Sequence, residues 1–116
     1  MTQRIFDPHV HFFAYAQGDY HWLKRDSAPF WPRKRCIRQD FDISDLTLSP
    51  DFILAGVTHI EAGFDNLHPE RELHWLQSTG FDGSAVAFAQ IDLPPQQFIH
   101  ALSTLQHPLL RGIRDI

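Results

Sequence analysis

The sequence predicts an α/β chain of parallel strands joined by helices, and three observations carry this. β-Branched or apolar runs alternate with amphipathic ones at βαβ spacing. Pro, Gly and acidic residues stand where helices begin and end, and no repeat or low-complexity stretch interrupts the series. The order read along the chain is β-loop-α-β-α-β-α-β. Periodicity alone leaves two architectures open, a doubly wound sheet and part of an eight-stranded barrel. In both, functional side chains gather where the C-terminal ends of strands meet the following loops.

The first strand covers 4–10. With a period of two, Ile5, Asp7, His9 and His11 fall on one face and Phe6, Pro8 and Val10 on the other, so both histidines point the same way. Pro8 donates no ladder hydrogen bond and suits a strand end. An aperiodic stretch follows at 12–48, rich in aromatics (Tyr15, Tyr20, Trp22, Phe30, Trp31, Phe41) and broken by Gly18, Pro29 and Pro32. It reads equally as a pocket wall and as a cover for the core. Ser49-Pro50-Asp51 offers a capping Ser, a Pro at the first helical position and an acid in the first turn, which predicts a short helix to Ala55 stopped by Gly56.

The second strand is read at 57–62, β-branched at Val57, Thr58 and Ile60, with Gly63 as its exit. Pro69 opens the next helix, with Glu70 and Glu72 near the positive end of its dipole, Leu73 and Leu76 on one face, and Gly80 at its end. The third strand, 84–92, is a nearly continuous apolar run, as expected when both faces are covered. Asp92 reads as the cap of a further helix in which Phe98, Leu102 and Leu105 fall at i, i+4 and i+7, closed by His107-Pro108. A fourth strand begins at 109 and runs to 116.

At 116 residues, 43% apolar and 13% aromatic, the chain lies in the single-domain range with ample material for a core. Ten Lys and Arg against fourteen Asp and Glu give a net charge of −4. The one basic cluster, Arg33-Lys34-Arg35, reads as a solvated turn, so no nucleic-acid partner is expected. Cys36 is the single cysteine, without a nucleophile motif around it, and forms no internal disulfide. No signal-like segment opens the chain and no run approaches the roughly 20 apolar residues of a membrane helix, so a cytoplasmic protein without membrane contact is expected.

Chemistry concentrates at Asp7-Pro8-His9-Val10-His11. Alternate residues at the end of a strand present two imidazoles to one ion, and a bound divalent cation can both activate a water and polarise a carbonyl. Arg114, near the end of the fourth strand, can hold a substrate carboxylate through two hydrogen bonds, or form an ion pair at the rim. Glu61 shares a face with Val57 and His59, a face that can be a barrel interior, and a carboxylate there needs a site role or a structural partner. His21, His68, His74, His100 and His107 stand at no ligand spacing.

The blocks Ile5-Phe6-Asp7-Pro8-His9-Val10-His11-Phe12-Phe13, Tyr20-His21-Trp22-Leu23, 56–63, Glu72-Leu73-His74-Trp75-Leu76, 89–93 and Arg111-Gly112-Ile113-Arg114 together resemble the amidohydrolase-related group of metal-dependent hydrolases, which includes sugar-lactone and dicarboxylate lactone hydrolases. The segment 30–37 departs from the lactonase pattern. The resemblance implies the N-terminal part of a (β/α)8 TIM-type barrel with about four parallel strands. It makes His9 and His11 first-strand ligands of a divalent ion, zinc being the first candidate, or substrate contacts, and some relatives need no ion. Arg114 and Glu61 stand as candidate substrate contacts from the positions read above, and the resemblance makes the substrate a small molecule with a lactone, ester or amide carbonyl. Relatives complete the site with histidines of strands five and six and an acid of strand eight, beyond the strands read here. A barrel takes roughly 250 residues. A half-barrel exposes strand edges and an apolar face, so a homo-oligomer is expected, and a non-catalytic remnant acting through association is the alternative.

Overall fold

The computed structural model describes residues 2–116. Four parallel strands, β1 (Gln3–Val10), β2 (Phe52–Ile60), β3 (Ser84–Phe88) and β4 (Leu110–Arg114), form one sheet in the order β1-β2-β3-β4. Three helices accompany them: a single turn α1 (His21–Lys24), α2 (Glu70–Ser78) and α3 (Pro95–Thr104). The α/β alternation read from the sequence is therefore present from β2 onward.

One predicted helix is absent. Residues 52–55 are the first half of β2, paired with Gln3, Arg4 and Ile5 through Phe52, Ile53 and Leu54. Ser49-Pro50-Asp51 instead makes a tight turn closed by Phe52 N–H on Ser49 O at 3.0 Å, and Gln3 N–H reaches Asp51 O at 2.8 Å. Ser, Pro and Asp serve a β-turn as well as a helix start, and the apolar Phe52-Ile53-Leu54 gains more from pairing with β1. β3 also stops short of 92. Its ladder ends with Ala89 N–H on Arg114 O, where β4 ends. Asp92 caps nothing; it accepts from Gln90 Nε2 at 2.8 Å, and α3 starts at Pro95 without a side-chain cap.

The β1–β2 register slips twice, between Ile5 and Phe6 and between Asp7 and Val10. At the second slip three steps of β1 span two of β2, so Pro8 and His9 form a bulge and Val10 lies beside His59. A bulge is where a strand tolerates a residue without N–H, and Asp7 Oδ1 accepts His9 N–H at 3.0 Å inside it. The expected common face of Ile5, Asp7, His9 and His11 is thereby broken upstream of His9.

The core lies on one side of the sheet. Val10, Val57, Ala85, Ala87 and Ala89 pack against Leu73 and Leu76 of α2 and Leu105 beyond α3. The Val57–His59 face, which could have been a barrel interior, is the one covered by helices. Opposite it lie Thr58 beside Ser84, Ile60 beside Val86, and Phe88 beside Arg114, with no helix of the described residues over them. A second cluster forms at the C-terminal end of the strands, where Phe13, Ala14, Tyr20 and Leu23 of the long segment enclose Ala62 and Phe64. Tyr20 is fully buried and its hydroxyl accepts Ala14 N–H at 2.9 Å. Burial pushes its ionisation well above the ordinary 10, so it remains a neutral phenol. The aromatics of 12–48 therefore chiefly build their own core.

Candidate functional site

His9 and His11 leave the bulged end of β1 with their Nε2 atoms 3.2 Å apart. His11 Nδ1 lies 2.8 Å from Ile60 O, an obligatory acceptor, so Nδ1 carries the proton. Its Nε2 then offers a lone pair and accepts from His9 Nε2–H. Partial burial of the ring, reinforced by the nearby Arg114 guanidinium, His9 and His59, holds the His11 pKa below the usual 6.5 despite the opposing bond to Ile60. Neutral imidazole with its far N–H donated to a carbonyl is the form that binds metals.

Two bonds of about 2.0–2.1 Å can reach one ion from nitrogens spaced as these are. Once the His9 proton moves from Nε2 to Nδ1, the pair fits two ligands of a zinc-type site. Among the described residues no group of three His, Cys, Asp or Glu converges on such a position, so further ligands are not found there.

Glu61 and Arg114 meet each other. Arg114 Nε donates to Glu61 Oε1 at 2.8 Å and Arg114 Nη2 to Glu61 O at 3.1 Å, while Glu61 Oε2 accepts Gly63 N–H at 3.0 Å. β2 ends at Ile60, and although Glu61 N–H still bonds Val86 O at 2.9 Å, its side chain reaches over β3 to β4. Both carboxylate oxygens are occupied. Arg114 Nη1 makes no hydrogen bond to protein among the described residues.

Behind the histidines lies a buried pair that the sequence did not disclose. His59 is 1% exposed and Glu72 5%, with His59 Nε2 3.3 Å from Glu72 Oε2. Phe12 N–H points at His59 Nδ1 at 3.1 Å, so Nδ1 is an acceptor, Nε2 bears the proton, and the contact is a hydrogen bond from neutral imidazole to carboxylate. Glu72 also accepts Ala62 N–H at 3.0 and 3.1 Å and Phe64 N–H at 3.4 Å. It stands in the first turn of α2, as expected of an acid near the positive end of the dipole, and its side chain is turned inward. Its i, i+4 relation to Leu76 was the available signal.

The remaining candidates have local roles. Lys34 is not solvated: it is 6% exposed, with Nζ on Ser27 O at 2.9 Å and Pro29 O at 3.2 Å. Arg35 and Arg38 both pair with Asp26. Cys36 is exposed. His68 and Arg71 bind the buried Asp65, whose carboxyl is held below the usual range because hydrogen bonds from Arg71, His68 and Leu67 outweigh the cost of burial. A hollow of about 410 Å³ beneath Phe12, Trp75 and Phe81 includes none of His9, His11, Glu61 or Arg114. Among the described residues no helix is long and apolar enough to cross a membrane. Comparison of the chain with protein-family models, with curated proteins and with solved structures finds no match in any of the three.

Proposed function

We propose that the chain is the N-terminal portion of a (β/α)8 metal-dependent hydrolase, similar to the amidohydrolase-related group, acting on the carbonyl of a lactone, ester or amide. The observation that carries this reading is the histidine pair at the C-terminal end of the sheet, its Nε2 atoms 3.2 Å apart and the His11 lone pair exposed by the bond to Ile60. The strand order supports the barrel over a doubly wound sheet. Sequential β1-β2-β3-β4 with helices on one face is what an arc of a barrel would give, whereas doubly wound sheets reverse their order and carry helices on both faces.

In this reading His9 and His11 hold a divalent ion, zinc the first candidate. When bound, such an ion lowers the pKa of a water and polarises the carbonyl. Arg114 presents Nη1 to an anionic group of a small-molecule substrate, and Glu61 orients that guanidinium rather than touching substrate. Metal content of the purified chain tests the centre. About one zinc per centre is expected, lost in the His9→Ala, His11→Ala double variant; equal content in both rejects these ligands. The uncovered sheet face favours one other reading, a chain that acts by association and not by catalysis.

A further inference from the structure

We infer that His59 and Glu72 are positioning residues for the His9–His11 centre, acting through the peptide that links His11 to Phe12. The inference rests on the proposed metal reading for its functional meaning, but not for its geometry.

The direction of every hydrogen bond in the chain of contacts is forced. Glu72 is held in place by Ala62 N–H at 3.0 and 3.1 Å and Phe64 N–H at 3.4 Å, which can only donate. A carboxylate so engaged accepts the proton of His59 Nε2 at 3.3 Å. His59 Nδ1 is thereby left with a lone pair, and it receives Phe12 N–H at 3.1 Å. That bond sets the plane of the His11–Phe12 peptide. The next residue of β2, Ile60, supplies the carbonyl that takes the His11 Nδ1 proton at 2.8 Å and so leaves His11 Nε2 free toward His9. Two consecutive β2 residues therefore fix both the backbone and the tautomer of His11, and Glu72 fixes the first of them.

Burial makes the arrangement stringent. No buried side-chain nitrogen or oxygen among the described residues lacks a partner, so turning the His59 ring would orphan Phe12 N–H and the ring's own Nε2–H in a site closed to water, leaving Glu72 Oε2 with Ala62 N–H alone. Stacking of His59 on Phe12, ring centres 5.7 Å apart and 14° from parallel, and its edge contact with Trp75 at 6.3 Å hold the ring as well. Packing alone would be satisfied by a hydrophobic residue. The polar chain runs toward His11.

The test uses the full chain with zinc alone as ligand, and histidine ¹⁵N NMR of the metal-free chain to read the His11 tautomer. Glu72→Gln and His59→Leu are expected to weaken zinc binding about tenfold or more and to turn the single His11 tautomer into a mixture. His59→Asn, whose side-chain oxygen can still accept Phe12 N–H, is expected to retain the tautomer and most of the affinity. Unchanged affinity and an unchanged tautomer in folded Glu72→Gln and His59→Leu would overturn the inference. If the parent chain binds no zinc, the metal reading fails by itself and the tautomer measurement still decides the positioning role. Should either variant fail to fold by circular dichroism, Glu72→Asp, which keeps the charge but draws the carboxylate back from His59, replaces it in both measurements.

Discussion

Arg114 satisfies a carboxylate that is otherwise closed in: Glu61 is 7% exposed, and its only charged partner among the described residues is this guanidinium. Replacing Arg114 by Met leaves that carboxylate with one backbone donor. The expected loss is about 1–3 kcal/mol, the usual cost of leaving a buried, charged acceptor short of a partner. In urea unfolding, Arg114→Met combined with Glu61→Gln should cost less than the two single changes added together; strict additivity would show that the pair is uncoupled. Gly63, beside it, has φ +76°, and a Cβ there would lie 2.9 Å from Trp22 Cδ1 and Nε1, whose indole donates to Ala62 O at 2.7 Å. Gly63→Ala therefore meets both left-handed strain and crowding, and should destabilise by about 1–3 kcal/mol in the same assay, with no loss as the contrary result. The histidine pair was legible because period two is local. The His11 tautomer and the inward turn of Glu72 depend on Ile60, Ala62 and Phe64, positions that only the fold brings together.

Elements were legible where a single physical signal dominated. α2 and α3 follow their apolar spacing, and Gly80, at φ +82°, stands just past the end of α2 as expected. The segment 49–55 carried two signals, turn chemistry and an apolar run, and the local cap reading lost to pairing with β1, which lies far away in sequence. The bulge at Pro8-His9 was hidden for the same reason, since register exists only between two strands. Contacts between elements also carry the pH response. His107, past the end of α3, accepts Leu109 N–H on Nδ1 at 3.1 Å and meets Gln77 of α2 at 3.1 Å through Nε2. Burial first, and His74 second, hold its pKa below the usual 6.5. The unfolded chain takes up its proton near that ordinary value and the folded chain only at lower pH. The associated stability is therefore full above that range and declines as pH falls through it toward the folded value. Urea midpoints should drop between about pH 7.5 and pH 5.5, and His107→Gln should flatten part of the drop, His11 supplying a share of the same sign. An unchanged slope in the variant would show that this contact does not titrate with folding.

Taken whole, the molecule exposes more than a closed domain of its mass. Its accessible surface is 7725 Å² and its radius of gyration 15.5 Å, against roughly 6,500 Å² and about 13 Å from the scaling of folded monomers. On the sheet face that no helix of the described residues covers, Phe6 is 55% exposed and Val86 and Phe88 are half-buried, and β1 and β4 each present one unpaired edge. A surplus of roughly 1,200 Å² per chain is on the scale that specific interfaces bury. Unpaired parallel edges flanking an apolar face favour association. The purified chain is therefore expected to scatter light with a mass above that of one chain at micromolar concentration. Phe6→Lys places a charge on the uncovered face while leaving the core on the helix side intact, so it should shift that mass toward one chain with the far-ultraviolet circular dichroism unchanged. A parent chain that remains monomeric across the concentration range would overturn this expectation. It would mean that the apolar face tolerates water.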